Sequence, residues 1–239
     1  MLATILFKAM KLAIFFHGLI FLDSPDKFAP SAIEVIEEQM SIIENCGLLA
    51  AANHFEVGIN GGDESRVYAS MLLPRKAQVT FHGLDSHNEN STIRMMEQWL
   101  PGHPGWAVLY FHAKGCTWPY DDPIRAPWRK CMNLHCLENW WKCLVDLEEG
   151  YEAVGCHWTC PPATPPSQNY FAGTFFWAKS DFLATLPSIL NRDRIKISGL
   201  KSIESRFESE VWIGNGPRLP RIRDYHPNCT PKNIGQCHL

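Results

Sequence analysis

The stretch Trp106-Ala-Val-Leu-Tyr-Phe-His-Ala-Lys-Gly115 decides how the rest of the chain is read. An apolar run, Ala107 to Phe111, stops abruptly at His112, Lys114 and Gly115. A continuous run of this kind suits a strand covered on both faces, the usual state of strands in a parallel sheet. In open α/β sheets ligands bind outside the carboxyl ends of strands, so His112, Lys114 and Gly115 become candidate site residues.

Upstream, Lys11 to Phe16 is a second apolar run, and its end at His17-Gly18 gives a second rim position. Pro30-Ser31 opens a helix in which Ile33, Ile36, Met40 and Ile43 recur at spacings of three and four, with Gly47 as its stop. Phe55 to Gly62 and Gln78 to Gly83 read as two further strands in direct succession. Asn90 or Ser91 caps a helix over Thr92 to Leu100, and the Pro101 to Gly105 turn feeds the Trp106 strand. Strand, helix and strand at this spacing require a crossover, which predicts one α/β domain with a mostly parallel sheet flanked by helices.

Downstream, Cys116 to Pro127 holds Asp121, Asp122 and three prolines and reads as a loop long enough to be a lid. Trp128 to Glu149 follows a helical pattern, with Leu134, Leu137, Trp141 and Leu144 on one stripe and Gly150 closing it. Tyr151 to Trp158 and Phe171 to Ala178 read as strands, the second carrying Gly173 where a ligand or backbone comes close. Short helices follow from Asp181 and over Arg206 to Gly214. Residues 1–9 are expected to be an extension, 10–215 the domain, and 216–239 an irregular tail packed on it.

Apolar residues make up 46% of the chain and charged residues 20%, which excludes a disordered or a membrane-embedded protein. The net charge of -3 argues against nonspecific nucleic-acid binding. Nine cysteines without regular spacing do not form a disulfide scaffold and suit reduced thiols in a cytoplasmic protein. Cys131, Cys136 and Cys143 fall in the long helix. Cys156, His157 and Cys160 cluster more tightly, but with a three-residue gap rather than the usual two of zinc-binding thiol pairs. Lys8 and Lys11 interrupt the apolar N-terminal stretch, so no transmembrane helix is expected there.

Taken together, Tyr110-Phe-His-Ala-Lys-Gly115, Trp128-Arg129, Gly155 with His157, Gly173-Thr-Phe-Phe-Trp177 and Glu208-Ser-Glu-Val-Trp-Ile-Gly214 resemble a group of short glycosyltransferase-like proteins. In that group a strand ending His-x-Lys-Gly precedes a helix with a Trp-Arg start, a Gly-Asn-Phe-Trp-Trp strand and a Glu-x-Trp-Ile segment. Glu89-Asn-Ser-Thr-Ile-Arg94 resembles the helix start before the His-x-Lys-Gly strand. The resemblance implies a GT-A fold, a Rossmann-like sheet that binds a nucleoside-diphospho-sugar, with UDP favoured, and presents an acceptor hydroxyl beside it. A hexosyltransferase is the implied enzyme. A non-catalytic carbohydrate- or partner-binding protein on the same fold is the alternative.

On that resemblance Lys114, as a point charge, and His112, as a hydrogen-bond donor, face the diphosphate together with Gly115. His17, Gly18, Asp85 and Arg129 complete the donor side. Gly173, Thr174 and Trp177 form the acceptor side, with Thr174 standing where the group has Asn. Transfer with inversion needs a carboxylate to take the acceptor proton, and the Glu-x-Trp-Ile match places it at Glu210, with Glu208 second. Many GT-A enzymes hold manganese or magnesium with Asp-x-Asp, which this sequence lacks; Asp85, Asp121 and Asp122 are the remaining candidate ligands. The acceptor class stays open, a nucleic-acid base included, because acceptor contacts lie in variable loops such as Cys160 to Ser167 and the basic segment Asn191 to Lys201.

Overall fold

The computed structural model describes residues 10–21, 30–83, 89–159, 169–191 and 206–226. Its spine is Leu12–Ile20 (β1), a strand buried almost throughout because both of its faces are covered. The chain continues through Ala32–Asn45 (α1), His54–Gly61 (β2), Glu64–Leu72 (α2), Gln78–Gly83 (β3), Asn90–Trp99 (α3) and Ala107–His112 (β4). Arg125–Met132 (α4) widens into a π-helical turn over Asn133–Glu138, followed by Trp140–Glu148 (α5). Ala153–Gly155 (β5), Trp158–Thr159 (β6), Tyr170–Phe171 (β7), Phe176–Lys179 (β8), Arg206–Trp212 (α6) and Ile222–Asp224 (β9) follow.

The main sheet has seven strands in the order β3-β2-β1-β4-β8-β5-β9. β1 to β4 are mutually parallel and β9 is parallel to β5, while β8 opposes both of its neighbours. The chain therefore builds the expected α/β architecture. Side chains alternate across the pleat. Leu12, Ile14, Phe16, Leu109, Phe111 and Trp177 face the side packed by α1, α4 and α5. Ala13, Phe15, Val108, Tyr110 and Phe176 face the side of α3 and α6. The same alternation sends His17, Tyr110 and His112 toward α3.

Several elements depart from the sequence-based expectation. β1 runs past His17-Gly18 to Ile20, because both faces remain covered. α2 separates β2 from β3 and supplies the crossover; only Ser65 and Ala69 of it are buried, so its apolar signal is faint. The expected Trp128 to Glu149 helix is broken by the π-helical turn. The Tyr151 to Trp158 strand breaks at His157, whose φ is 62°. The Phe171 to Ala178 strand is two short strands joined through Gly173 (φ 96°) and Thr174 (φ 56°). The C-terminal segment is not wholly irregular, since β9 pairs with β5.

Two features bear on the site. β2 passes so close to α3 that a Cβ at Gly58 would overlap Thr92 Oγ1 and stand 2.6 Å from His82 Nε2. Among the described residues no helix is long and apolar enough to cross a membrane. Asp85, the 1–9 extension, the Cys160 to Ser167 loop and Arg192 to Lys201 lie outside the described residues.

Candidate functional site

A cleft of about 320 Å³ opens at the carboxyl ends of β1 and β4, where the His112-x-Lys114-Gly115 stretch emerges. The backbone there turns tightly. Ala113 N–H still bonds His17 O at 3.0 Å, Lys114 N–H turns back to His112 O at 2.7 Å, and Gly115 takes φ 83°, a left-handed conformation that suits glycine. The turn is anchored at Ser31, which donates its N–H to Cys116 O and its hydroxyl to Trp118 O. Lys114 Nζ lies 4.1 Å above the Trp128 ring and the Arg125 guanidinium 3.9 Å above the Trp118 ring. Two cations at the mouth are thus each laid on an indole face, which favours them electrostatically and limits their rotamers.

The floor is a carboxylate–imidazole group. Glu89 precedes α3, and its side chain accepts the His112 Nδ1–H at 2.8 Å on one oxygen and the Tyr110 hydroxyl at 3.0 Å on the other. Burial pushes the Glu89 carboxyl up, but the His112 charge and hydrogen bond, then His17 and Tyr110, outweigh it and hold it below its usual value. His17 hydrogen-bonds Thr92 Oγ1 through Nδ1 at 2.9 Å. Its burial holds its pKa down to about 3, with Glu89 opposing and His112 and His82 adding to the fall. At neutral pH an ionised carboxylate therefore sits beside an uncharged His17. With Nδ1 committed to Glu89, His112 Nε2 has no hydrogen-bond partner among the described residues, and neither do Trp128 Nε1 and Thr174 Oγ1. Buried polar atoms without partners are uncommon and call for an explanation.

The cleft brings together His17, His112, Lys114 and Gly115 from the residues expected on sequence grounds. Gly18 is not at the strand end; a Cβ there would meet Ile59 Cδ1 at 2.5 Å, so its role is packing. Arg129 is fully buried beneath the Lys114-Gly115 turn, with Nη1 3.5 Å from Lys114 O, and does not itself line the cleft. Its Nε bonds Glu38 at 2.8 Å and its Nη2 bonds Tyr120 O at 3.0 Å, so its carboxylate partner is Glu38 rather than Asp121 or Asp122. Asp122 caps α4 by accepting the Ile124 and Arg125 N–H groups, and neither it nor Asp121 lines the cleft.

Neither of the expected catalytic carboxylates lines the cleft. Glu208 is buried and accepts a hydrogen bond from Asn90 Nδ2 at 2.8 Å, and the α6 residue that lines the cleft is Ser209. Glu210 is half-buried and is not part of the lining. Trp177 cannot form a sugar shelf, because it is fully buried with Nε1–H bonded to Cys136 O at 2.8 Å. Gly173 stands against the cleft wall instead, where a Cβ would come within 3.3 Å of Trp128 Nε1. Glu89 lines the cleft and meets His112, a placement that its position at a helix start does not announce. A glutamate just ahead of a helix reads as a cap; here no side-chain cap bond forms.

No family model and no curated protein matches this sequence. Solved structures match over most of the chain at low identity. The 4-diphosphocytidyl-2C-methyl-D-erythritol synthase of Anaerococcus prevotii is 9% identical, with a TM-score of 0.45 over 94% of this chain and 93% of that one. A proposed nucleotide-diphospho-sugar transferase of Desulfovibrio desulfuricans is 11% identical, with a TM-score of 0.42 over 91% and 80%. Glucosyl-3-phosphoglycerate synthase of Mycobacterium tuberculosis is 12% identical, with a TM-score of 0.38 over 94% and 75%. At scores and identities this low they carry no argument about what this cleft binds.

Proposed function

We propose that the cleft binds a nucleoside-diphospho-sugar in the manner of a GT-A glycosyltransferase and that the protein transfers the sugar to an acceptor hydroxyl. The observation that carries this reading is the pairing, in one cleft at parallel strand ends, of two indole-backed cations with a buried Glu89–His112 couple. Lys114 and Arg125 hold the diphosphate and offset the charge that grows on it as the sugar leaves. Gly115 gives the phosphates close approach to the backbone. His112 Nε2 takes the proton from the attacking hydroxyl, while Glu89 holds the ring through Nδ1 and stabilises the imidazolium that forms.

Glu89 is the one carboxylate that the described residues contribute to the cleft, and it is already engaged by His112 and Tyr110. The electrostatic work at the diphosphate falls on the two cations, and the nucleotide-induced stabilisation with and without manganese reads what a metal adds. Trp128 lines the cleft, and its unpartnered Nε1–H is a donor available to a sugar hydroxyl.

Thermal unfolding in the presence of uridine, cytidine, guanosine and adenosine diphosphates, with and without manganese, tests the reading. A nucleotide at about 100 times its Kd adds about 2.7 kcal/mol, or roughly 5–10 °C for a chain of this size. Lys114→Ala should abolish the shift. Absence of a shift with every nucleotide would refute donor binding. A shift without donor hydrolysis or sugar transfer would favour the non-catalytic binding protein instead.

A further inference from the structure

The opposite face of the Trp128 wall carries a second group of polar side chains. Cys131, at the end of α4, and His135, in the π-helical turn, present themselves on one side of the same helical segment. His226 approaches from the far end of the chain, just beyond β9. The Cys131 sulfur and the two imidazole nitrogens all lie within 4.8 Å of one another, and His135 Nε2 is 2.9 Å from His226 Nε2. We propose that Cys131, His135 and His226 form a zinc site, with His157 as the fourth ligand.

The donor set and its compactness argue for a transition-metal dication. Zinc takes thiolate at about 2.3 Å and imidazole at about 2.0–2.1 Å in tetrahedral sites, so its ligand atoms stand roughly 3.3–3.8 Å apart. The three atoms here bracket that spacing, from 2.9 Å between the two imidazole nitrogens to no more than 4.8 Å for any pair, so a bound ion would part the two rings slightly and draw the group together. One thiolate with imidazoles suits zinc, whereas magnesium and manganese prefer carboxylate and carbonyl oxygens.

His157 supplies the independent observation. It is 1% exposed, and neither of its ring nitrogens completes an aligned hydrogen bond with a described residue. Its ring lies 5.7 Å from that of His226, beside the Cys131 sulfur. Its φ of 62° is a costly conformation for a residue with a side chain and is held in place by the surroundings. Asp224 does the holding: its carboxylate accepts the N–H groups of His157, Trp158 and His226 at 2.8, 2.8 and 2.9 Å.

The surroundings are those of a supported metal site. The His135 ring stacks on Tyr225 at 5.2 Å, and the Tyr225 hydroxyl is fixed on Asp146 at 2.6 Å. Outer contacts of this kind orient ligand rings and raise affinity. The site is separate from the cleft. Trp128 stands between them, with Lys114 over its face and the His157 ring at its edge, 6.2 Å between centroids. A metal there ties the C-terminal strand to α4 and so steadies the cleft wall; it takes no part in the proposed sugar transfer.

The full-length chain, stripped with a chelator and dialysed, is to be titrated with zinc and separately with cobalt(II), and metal content measured after gel filtration. The expectation is one metal per chain, a thiolate-to-cobalt charge-transfer band in the near ultraviolet, and the visible bands of tetrahedral cobalt. Cys131→Ser should remove the thiolate band. His226→Gln should weaken binding about tenfold or more, and its fold should persist because Asp224 holds the backbone rather than the ring; circular dichroism checks this. Retention of no metal, or a cobalt spectrum without the thiolate band in the native chain, overturns the assignment whether or not the variants fold. Equal binding by native chain and both variants also overturns it.

Discussion

Acidification from pH 7 to pH 5 is expected to weaken the folded state by about 2 kcal/mol through His17 alone. In the unfolded chain this imidazole takes up a proton as pH falls through its ordinary 6.5, whereas burial in the fold delays uptake until about pH 3. Between those limits the unfolded state binds more protons, so each pH unit below 6.5 costs the native state about 1.4 kcal/mol, and the effect is absent above 6.5. Glu89 does not contribute in this window. Its folded pKa is depressed below the ordinary 4.5, so its stabilisation is present above that value and is lost only as pH falls further. His82 and His135 are also held down by burial and add losses of the same sign. Urea unfolding at pH 7 and pH 5 should therefore be run on the native chain and on His17→Gln, and the two pH differences subtracted. A remainder near 2 kcal/mol bears out the buried neutral imidazole. Equal pH dependence in the two proteins refutes it.

His112→Gln should lower the turnover of sugar transfer by about 10²–10⁴-fold while leaving nucleotide-induced stabilisation nearly intact, a split read from steady-state kinetics beside thermal shifts. Glu38→Ala leaves the Arg129 guanidinium buried without its carboxylate and should cost about 3–5 kcal/mol in chemical denaturation. Glu38→Leu with Arg129→Met should recover much of that loss. Gly173→Ala combines a left-handed backbone with a Cβ 2.8 Å from Met132 Sδ and should cost about 1–3 kcal/mol. Gly47→Ala has a similar φ but nothing within 4 Å, and should cost about 1–2 kcal/mol; equal losses in the two variants would remove crowding as a cause.

Much of the fold was legible where one physical signal dominates. Ala107 to His112 is apolar because both sides of its sheet are covered, and Gln78 to Gly83 is bounded by turn residues, so both strands lie where the sequence places them. α2 was not legible. Val67 and Met71 are 60% and 73% exposed, and a helix that buries so little leaves no apolar stripe to read. The turn at Gly173-Thr174 hides inside an aromatic run, because a threonine in the left-handed region has no compositional mark. The site was half legible for a similar reason. A strand end announces Lys114 and Gly115, but the base of the cleft depends on which carboxylate meets His112. The family resemblance favoured Glu210, whereas the structure sets Glu89, just ahead of α3, against His112. Trp177 shows the converse: the resemblance puts it on the acceptor side, and the pleat turns it into the core.

Gly58 carries no functional group and does not line the cleft, yet its lack of a side chain shapes the cleft floor. One methyl group there displaces the Thr92 hydroxyl, and with it the partner of His17. A substitution at position 58 is therefore expected to reach His17 at second hand, through Thr92, without touching the cleft itself.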